Sequence, residues 1–275
     1  MRIGKKKAAP RSAKSGGLGE TTRFLLLLFL FALVLRTFFV TPFFIPSGSM
    51  LPRMMIGDYL FVAKWPYGFS RYSMPFGIGG FEGRVFGKDP ARGDVVVFRC
   101  PSAPEDCVKR VIGLPGDTVQ MRGGQVVLNG KEIPKTRIAD YLMPRSPNSP
   151  CSYIAREAAL PAERQNGATF CRYPRFRETL PGGRTYEVLD QYEGEGDETE
   201  AFTIPQGHYF MMGDNRDDSA DSRFGVERDG VGFLPAENIV GRALIVFFST
   251  DGSVEWLKPW TWFSAARWDR VGGTY

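Results

Sequence analysis

FLLLLFLFALVLRTFFVTPFFI, residues 24–45, is the stretch on which the reading of the whole chain turns. Its first twelve residues are apolar without a break. As a helix they extend only about 18 Å, the length of a secretory leader's core. Continued through Arg36 and Thr37 to Ile45, the run reaches about 33 Å, enough to cross a bilayer. Arg36 sits near the far end, where its long stem carries the guanidinium to the headgroups at modest cost. A cleaved leader wants a small-residue triplet soon after the apolar core. The nearest one, Ser47-Gly48-Ser49, lies more than ten residues beyond Leu35. The stretch therefore reads as a retained anchor rather than a removed leader.

The charge agrees with that reading. The net +5 of the 275 residues invites a nucleic-acid partner until the charges are located. Arg2, Lys5, Lys6, Lys7, Arg11, Lys14 and Arg23 stand against Glu20 alone in the first 23 residues, and the rest of the chain is close to neutral. A basic tail beside an apolar run is what retention on the cytoplasmic side requires, whereas nucleic acid needs basic residues spread over a folded face. No nucleic-acid partner is expected. Everything past residue 45 is expected on the exported side, with membrane lipid as the anchor's partner.

Four cysteines suit that side, where disulfides persist. With only one histidine in the chain they make a poor zinc set, so no metal site is expected. The local pairing is Cys100 with Cys107 and Cys151 with Cys171, one of three possible connectivities.

Beyond the anchor the sequence breaks into short β-rich runs separated by Gly and Pro: 58–64, 94–99, 107–112, 118–122, 125–128, 184–189, 208–212 and 240–248. Gly123-Gly124 and Asn129-Gly130 are hairpin signals. Between 133 and 183 the strand pattern fades, which suggests a looser second unit, and the acidic stretch 190–200 reads as a solvated loop. Two segments are too aromatic for ordinary exposed loops: residues 65–90, with Trp65, Tyr67, Phe69, Tyr72, Phe76, Phe81 and Phe86, and the C-terminal Trp256, Trp260, Trp262, Phe263 and Trp268. Each either settles into the membrane interface or packs on the core.

For chemistry, His208 is the only histidine, so a Ser-His-Asp triad depends on that one residue, which sits in an apolar strand context. The other route to an activated serine is a lysine kept neutral. No lysine stands three residues after a serine, as it does in the β-lactam-binding enzymes. Three segments form a set instead: PSGSMLP at 46–52, KRVIGLPGD at 109–117 and GDNRDDSADSR at 213–223. With RGDVVVF at 92–98 and Gly57-Asp58, they closely resemble the bacterial type I signal peptidases.

That resemblance implies a mostly β fold: a single N-terminal transmembrane helix followed by two antiparallel β-sheet domains. Its parts would be a basic cytoplasmic tail over 1–23, the anchor over 24–45, a catalytic domain over 46–117 and 206–256, a smaller inserted domain over 118–205, and an aromatic segment over 257–275. It implies a serine endopeptidase of the bacterial inner membrane that needs no cofactor. The substrates would be preproteins with small residues before the cut, bound as an added strand beside 43–47 and 107–109. Residue by residue, Ser49 resembles the nucleophile, Lys109 the general base, and Ser47 the oxyanion-hole hydroxyl. Ser219 resembles the serine that orients the lysine. Asp221 and Arg223 resemble a supporting ion pair, and Gly213 a position where a side chain would crowd the site. Phe43, Ile45, Met50, Met54 and Val108 are candidates for shallow pockets that admit alanine.

The residue chemistry agrees. Lys109 and Arg110 point to opposite faces of a strand, and only the lysine can lose its proton near neutral pH. Gly48 permits the close approach and the unusual turn that let two hydroxyls and an N–H converge on one carbonyl. Arg53, Asp218, Cys107 and the stretch 226–232 depart from the family pattern without removing a reacting group. The opposing readings are a membrane-anchored binding module, against which intact Ser49, Lys109 and Ser219 weigh, and a peptidase dedicated to one substrate.

Overall fold

The computed structural model describes residues 18–74, 82–151, 163–165, 168–255 and 257–275. Helix α1 (Leu18–Val34) continues as a π-helical turn over Leu35–Phe39. Together Gly19–Phe39 give 21 residues, long and apolar enough to cross a membrane. The apolar side chains of this helix stay exposed, Phe24 at 63% and Leu25 at 56%, so nothing described in the chain covers them.

The helix does not run to Ile45. It begins before Phe24 and yields at Phe39 to strand β1 (Val40–Phe44). Val40 and Thr41 are β-branched, and the residue before a proline is pushed toward extended backbone. Pro42 also lacks a ladder donor, which is tolerated on an edge strand. β1 is one, paired among the described strands only with β2 (Asp58–Ala63), Val40 opposite Ala63 and Phe44 opposite Tyr59. Lys64 fastens the helix exit to the sheet, its amine donating to the Arg36 carbonyl at 2.8 Å and the Ser73 carbonyl at 2.5 Å.

The principal sheet adds β3 (Val95–Arg99), β4 (Asp106–Gly113), β13 (His208–Met212), β14 (Phe233–Pro235) and β15 (Ile239–Ser249), in the order β1-β2-β15-β3-β4-β13-β14. Its centre is buried on both faces. Along β3, Val95 and Val97 join a cluster with Ile45, Met50, Met54, Leu60, Val62 and Val108, while Val96 and Phe98 join the opposite one with Tyr67, Val111, Tyr209 and Leu234. That is the period-two alternation of a strand read from both sides.

Between β4 and β13 lie two four-stranded sheets. One holds β5 (Thr118–Arg122), β6 (Gln125–Leu128), β7 (Lys131–Glu132) and β12 (Phe202–Thr203). Its turns are Gly123-Gly124 and Asn129-Gly130, all four at positive φ. The other holds β8 (Lys135–Pro144), β9 (Glu163–Gln165), β10 (Ala168–Thr179) and β11 (Thr185–Leu189).

Strands of ten and twelve residues thus stand where the sequence pattern fades. Pro174, which argues against a central strand, is tolerated because the register between β8 and β10 shifts between Tyr173 and Arg175. Arg172 and Arg175 pair with Asp140 and Glu187 across the sheet. The acidic stretch 190–200 is also more than a solvated loop. Asp197 is buried, Asp190 pairs with Lys135, and Gly196 packs on the Arg223 guanidinium.

Cys100 is bonded to Cys107 near the tip of the β3–β4 hairpin (Cα–Cα 5.2 Å). Cys151 is bonded to Cys171 on β10 (5.5 Å). The aromatic segments divide. Tyr67 is buried and its hydroxyl bonds Asp94, whereas Trp65 and Phe86 are exposed. Trp260, Trp262, Phe263 and Trp268 are exposed as well. Phe76, Phe81 and Trp256 lie outside the described residues.

Candidate active site

The turn between β1 and β2 carries Ser47 and Ser49, and β4 brings Lys109 to it from the middle of the sheet. Both Ser49 and Lys109 are 5% exposed. The Lys109 amine donates to Ser49 Oγ at 2.7 Å. Burial lowers the Lys109 pKa to about 8, opposed by the nearby carboxylates of Asp221 and Asp218. Ser47, exposed, places its Oγ 3.5 Å from Ser49 Oγ.

Arg110 takes the other face of β4, where it forms a two-pronged bond to Asp214 (2.7 and 2.6 Å) and stacks on Tyr186. The neighbours Lys109 and Arg110 therefore divide the work, one lysine free of a carboxylate contact beside Ser49 and one arginine fixed in an ion pair.

The segment after β13 closes over the serine turn. Gly213 has no room for a side chain: a Cβ there would lie 2.5 Å from Ser219 Cβ and 2.6 Å from the Ser49 carbonyl oxygen. Gly213 N–H donates to Asp221, whose carboxylate is held by Arg223 at 2.9 and 3.0 Å. Burial alone would raise the Asp221 carboxyl, but Arg223 and these bonds keep it below its ordinary range. Gly48 has an ordinary backbone; what it supplies is proximity, since a Cβ would meet Asp218 and Leu51 at 3.3 Å.

Asn215 was not singled out by its sequence position, yet it clamps the turn twice. Its N–H donates to the Ser49 carbonyl at 3.0 Å and its side-chain amide to the Gly48 carbonyl at 3.1 Å. An asparagine in a polar turn carries no sequence signal for that role.

Two expectations need correction. Ser219 does not hold the lysine amine in this structure; its buried Oγ has no hydrogen-bond partner among the described residues, and Lys109 is hydrogen-bonded to Ser49 instead. The pocket residues do not line an open pocket. Ile45, Met50 and Met54 are fully buried and Val108 nearly so, in one closed cluster against which Phe43 packs. The groove beside Ser49, about 740 Å³, is lined instead by Ser47, Lys109, Cys107, Asp218, Ser219 and Phe224 among others. His208 is not among its lining residues; its ring nitrogen faces the Gln206 carbonyl at 3.0 Å, on β13 opposite Pro235.

Two backbone edges flank the site. β13 pairs with β4 only from Arg110 onward, which leaves residues 106–109 open on that side, and the outer side of β1 pairs with no described strand. Both segments run toward Ser49 and Lys109.

A signal peptidase I from Rickettsia typhi is 36% identical over 256 residues, covering 83% of this chain and 84% of that protein. One from Rickettsia prowazekii matches to the same extent. A crystal structure of a signal peptidase I from Enterococcus faecalis, 24% identical, covers 56% of this chain and 97% of its own, with a TM-score of 0.29. The model of the family described as signal peptidase, peptidase S26, matches residues 18–248, and the chain belongs to that family.

Proposed function

We propose that this serine endopeptidase removes signal peptides from preproteins with Ser49 as nucleophile and neutral Lys109 as its general base, anchored in the bacterial inner membrane by residues 19–39. The observation that carries this reading is the 2.7 Å contact between two buried groups, a hydroxyl and a lysine whose burial favours the amine. Lys109 takes the Ser49 proton as Oγ bonds to the scissile carbonyl carbon. The oxygen that gains the charge is held by the Ser49 N–H and the Ser47 hydroxyl. The lysine ammonium then protonates the departing amine, leaving an acyl group on Ser49. A water attacks that ester, its proton passing to Lys109 and from there to Ser49 Oγ as the ester bond breaks, which frees the signal peptide and restores the Ser49 hydroxyl and neutral Lys109. Ser219 is the hydroxyl available to hold the amine once Ser49 Oγ is acylated.

The substrate is an extended segment lying in the slot between β1 and residues 106–109, where unpaired backbone groups on both sides complete a ladder. Residues 46–117 and 206–256 form the catalytic unit, and 118–205 the inserted one. Detergent-solubilised protein should cleave unrelated preproteins after a small residue, and Ser49→Ala should not; equal cleavage by that variant would refute the assignment. Ser47→Ala should lower kcat by about 10² to 10³ while leaving KM largely intact, the loss typical of one oxyanion donor. An unchanged kcat would remove Ser47 from the mechanism.

The basic tail is cytoplasmic and the sheets exported, because positive charge is concentrated before the helix. Protease added to intact spheroplasts should digest the chain beyond residue 46 and spare the tail. Full protection of the sheets would reverse the orientation.

A further inference from the structure

Residues 265–275 lie beyond the 18–248 matched by the family model, and they dock on the principal sheet. β15 pairs with β3 only through Arg242, and the freed flank is taken by residues 272–275. Gly272 N–H bonds the Val246 carbonyl and Val246 N–H the Gly273 carbonyl, both at 2.9 Å, and Tyr275 N–H reaches the Leu244 carbonyl at 3.2 Å.

The same segment grips the turn that carries Ser49. Arg270 donates to the Arg53 carbonyl at 2.9 Å and pairs with Asp58 at 2.5 Å, while Asp58 accepts from Met55 N–H. Arg267 bonds the Ile56 carbonyl. Arg53 returns a bond to the Thr274 carbonyl at 2.6 Å and lies over the Tyr275 ring, 5.7 Å from its centroid. The Tyr275 side chain packs against the closed cluster of Ile45, Met50, Met54 and Val108.

We infer that residues 265–275 are a strap that positions the nucleophile turn, and that Tyr275 fixes the size of side chain admitted before the cut by backing the Met50–Met54 cluster. The inference rests on the peptidase reading above. The cluster's buried side chains are at most 6% exposed, so a substrate side chain can enter only by displacing close-packed atoms. A methyl group displaces little; a leucine needs the methionines to move. Methionine is flexible and yields readily. What prevents it here is the ring behind it, held in place by Arg53 and the pairing to β15. Removing that ring opens a void into which Met50 and Met54 relax, and the groove side widens. Tyr275 is thus a positioning residue that acts through Met50 and Met54.

The test uses the full chain in detergent micelles and two preprotein peptides that differ only in Ala or Leu at the residue before the cut. Tyr275→Ala should narrow the ratio of kcat/KM between them by about tenfold, the scale of small apolar discrimination in a pocket. Tyr275→Phe, which keeps the ring, should retain the parental ratio. Arg53→Ala loosens the strap from outside the core and should move the ratio in the same direction by less. In parallel, amide hydrogen exchange over residues 50–58 should quicken in Tyr275→Ala and Arg53→Ala but not in Tyr275→Phe. A ratio unchanged in both alanine variants, or equal losses on the two peptides, overturns the size-setting role. Unchanged exchange overturns the strap itself. Ser49→Ala in the same assay reports separately on the peptidase reading: if it still cleaves, that assignment falls while the exchange data continue to decide the strap.

Discussion

Lys109→Ala is expected to abolish preprotein cleavage, with a loss of about 10⁴-fold or more, the range seen when one member of a nucleophile–base unit is removed. Ordinary lysine, with a pKa near 10.4, is neutral in only about four molecules in ten thousand at pH 7. Burial brings Lys109 to about 8, where roughly a tenth is neutral at that pH. Activity of the parent enzyme should therefore climb through pH 7 to 9 on a single ionisation and level off above it. The sign for stability follows from the same shift. A buried lysine held below its unfolded value costs stability while it is protonated in the fold, and that cost is relieved as pH rises from about 8 toward 10. Lys109→Met, which fills the site without charge, should therefore be inactive yet at least as stable as the parent near pH 7. His208→Ala should change little. Near-normal cleavage by a folded Lys109→Ala protein would rule out the dyad, and loss of activity in His208→Ala would restore the triad.

The second large effect is on stability. Glu178 and Arg216 form an ion pair at 2.5 Å with no exposure on the carboxylate, and the Tyr186 hydroxyl donates to the same oxygen. The pair joins β10 to the segment that follows β13, and so braces the inserted sheets against the catalytic one. Glu178→Ala would leave a guanidinium and a phenol buried without their acceptor, a defect that costs about 3 to 5 kcal/mol. Thermal unfolding followed by circular dichroism should show a drop on the order of 10 °C. Burial favours the neutral acid, but Arg216 and Tyr186 together hold the Glu178 carboxyl below its ordinary range. A depressed carboxyl stabilises above its unfolded pKa, so this contribution persists at neutral pH and fades only as pH falls below the ordinary glutamate range. A melting temperature unaffected by Glu178→Ala would show the brace to be dispensable.

Much of the site was legible because its chemistry restricts residue type. Only a lysine, not the adjacent Arg110, can serve as a base, and only glycine fits at 213. The same logic could not reveal Asn215, whose part is played by a backbone N–H and a side-chain amide that look like any turn asparagine. It could not foresee that Ser219 would lack a partner, since a motif names a hydroxyl and not its rotamer. β1 was hidden because Val40–Phe44, apolar but for Thr41, extends the pattern of the apolar helix before it; only Val40-Thr41-Pro42 marked the change. β10 was obscured by arginines whose partners sit on the neighbouring strands. The docking of Arg267 and Arg270 depends on residues some two hundred positions earlier, a distance at which local pattern carries no information.

The placement of β15 bears on when this protein first becomes an enzyme. β2, which anchors one end of the serine turn, takes its second partner from β15, and the Ser249 hydroxyl reaches Asp58 across 191 residues at 2.7 Å. The sheet that holds Ser49 opposite Lys109 therefore cannot be completed before β15 has been made. Pairings so far apart in sequence also form slowly, because the intervening loop must be closed before any contact rewards it. However early Ser49 and Lys109 are made, the sheet that brings them together waits for β15.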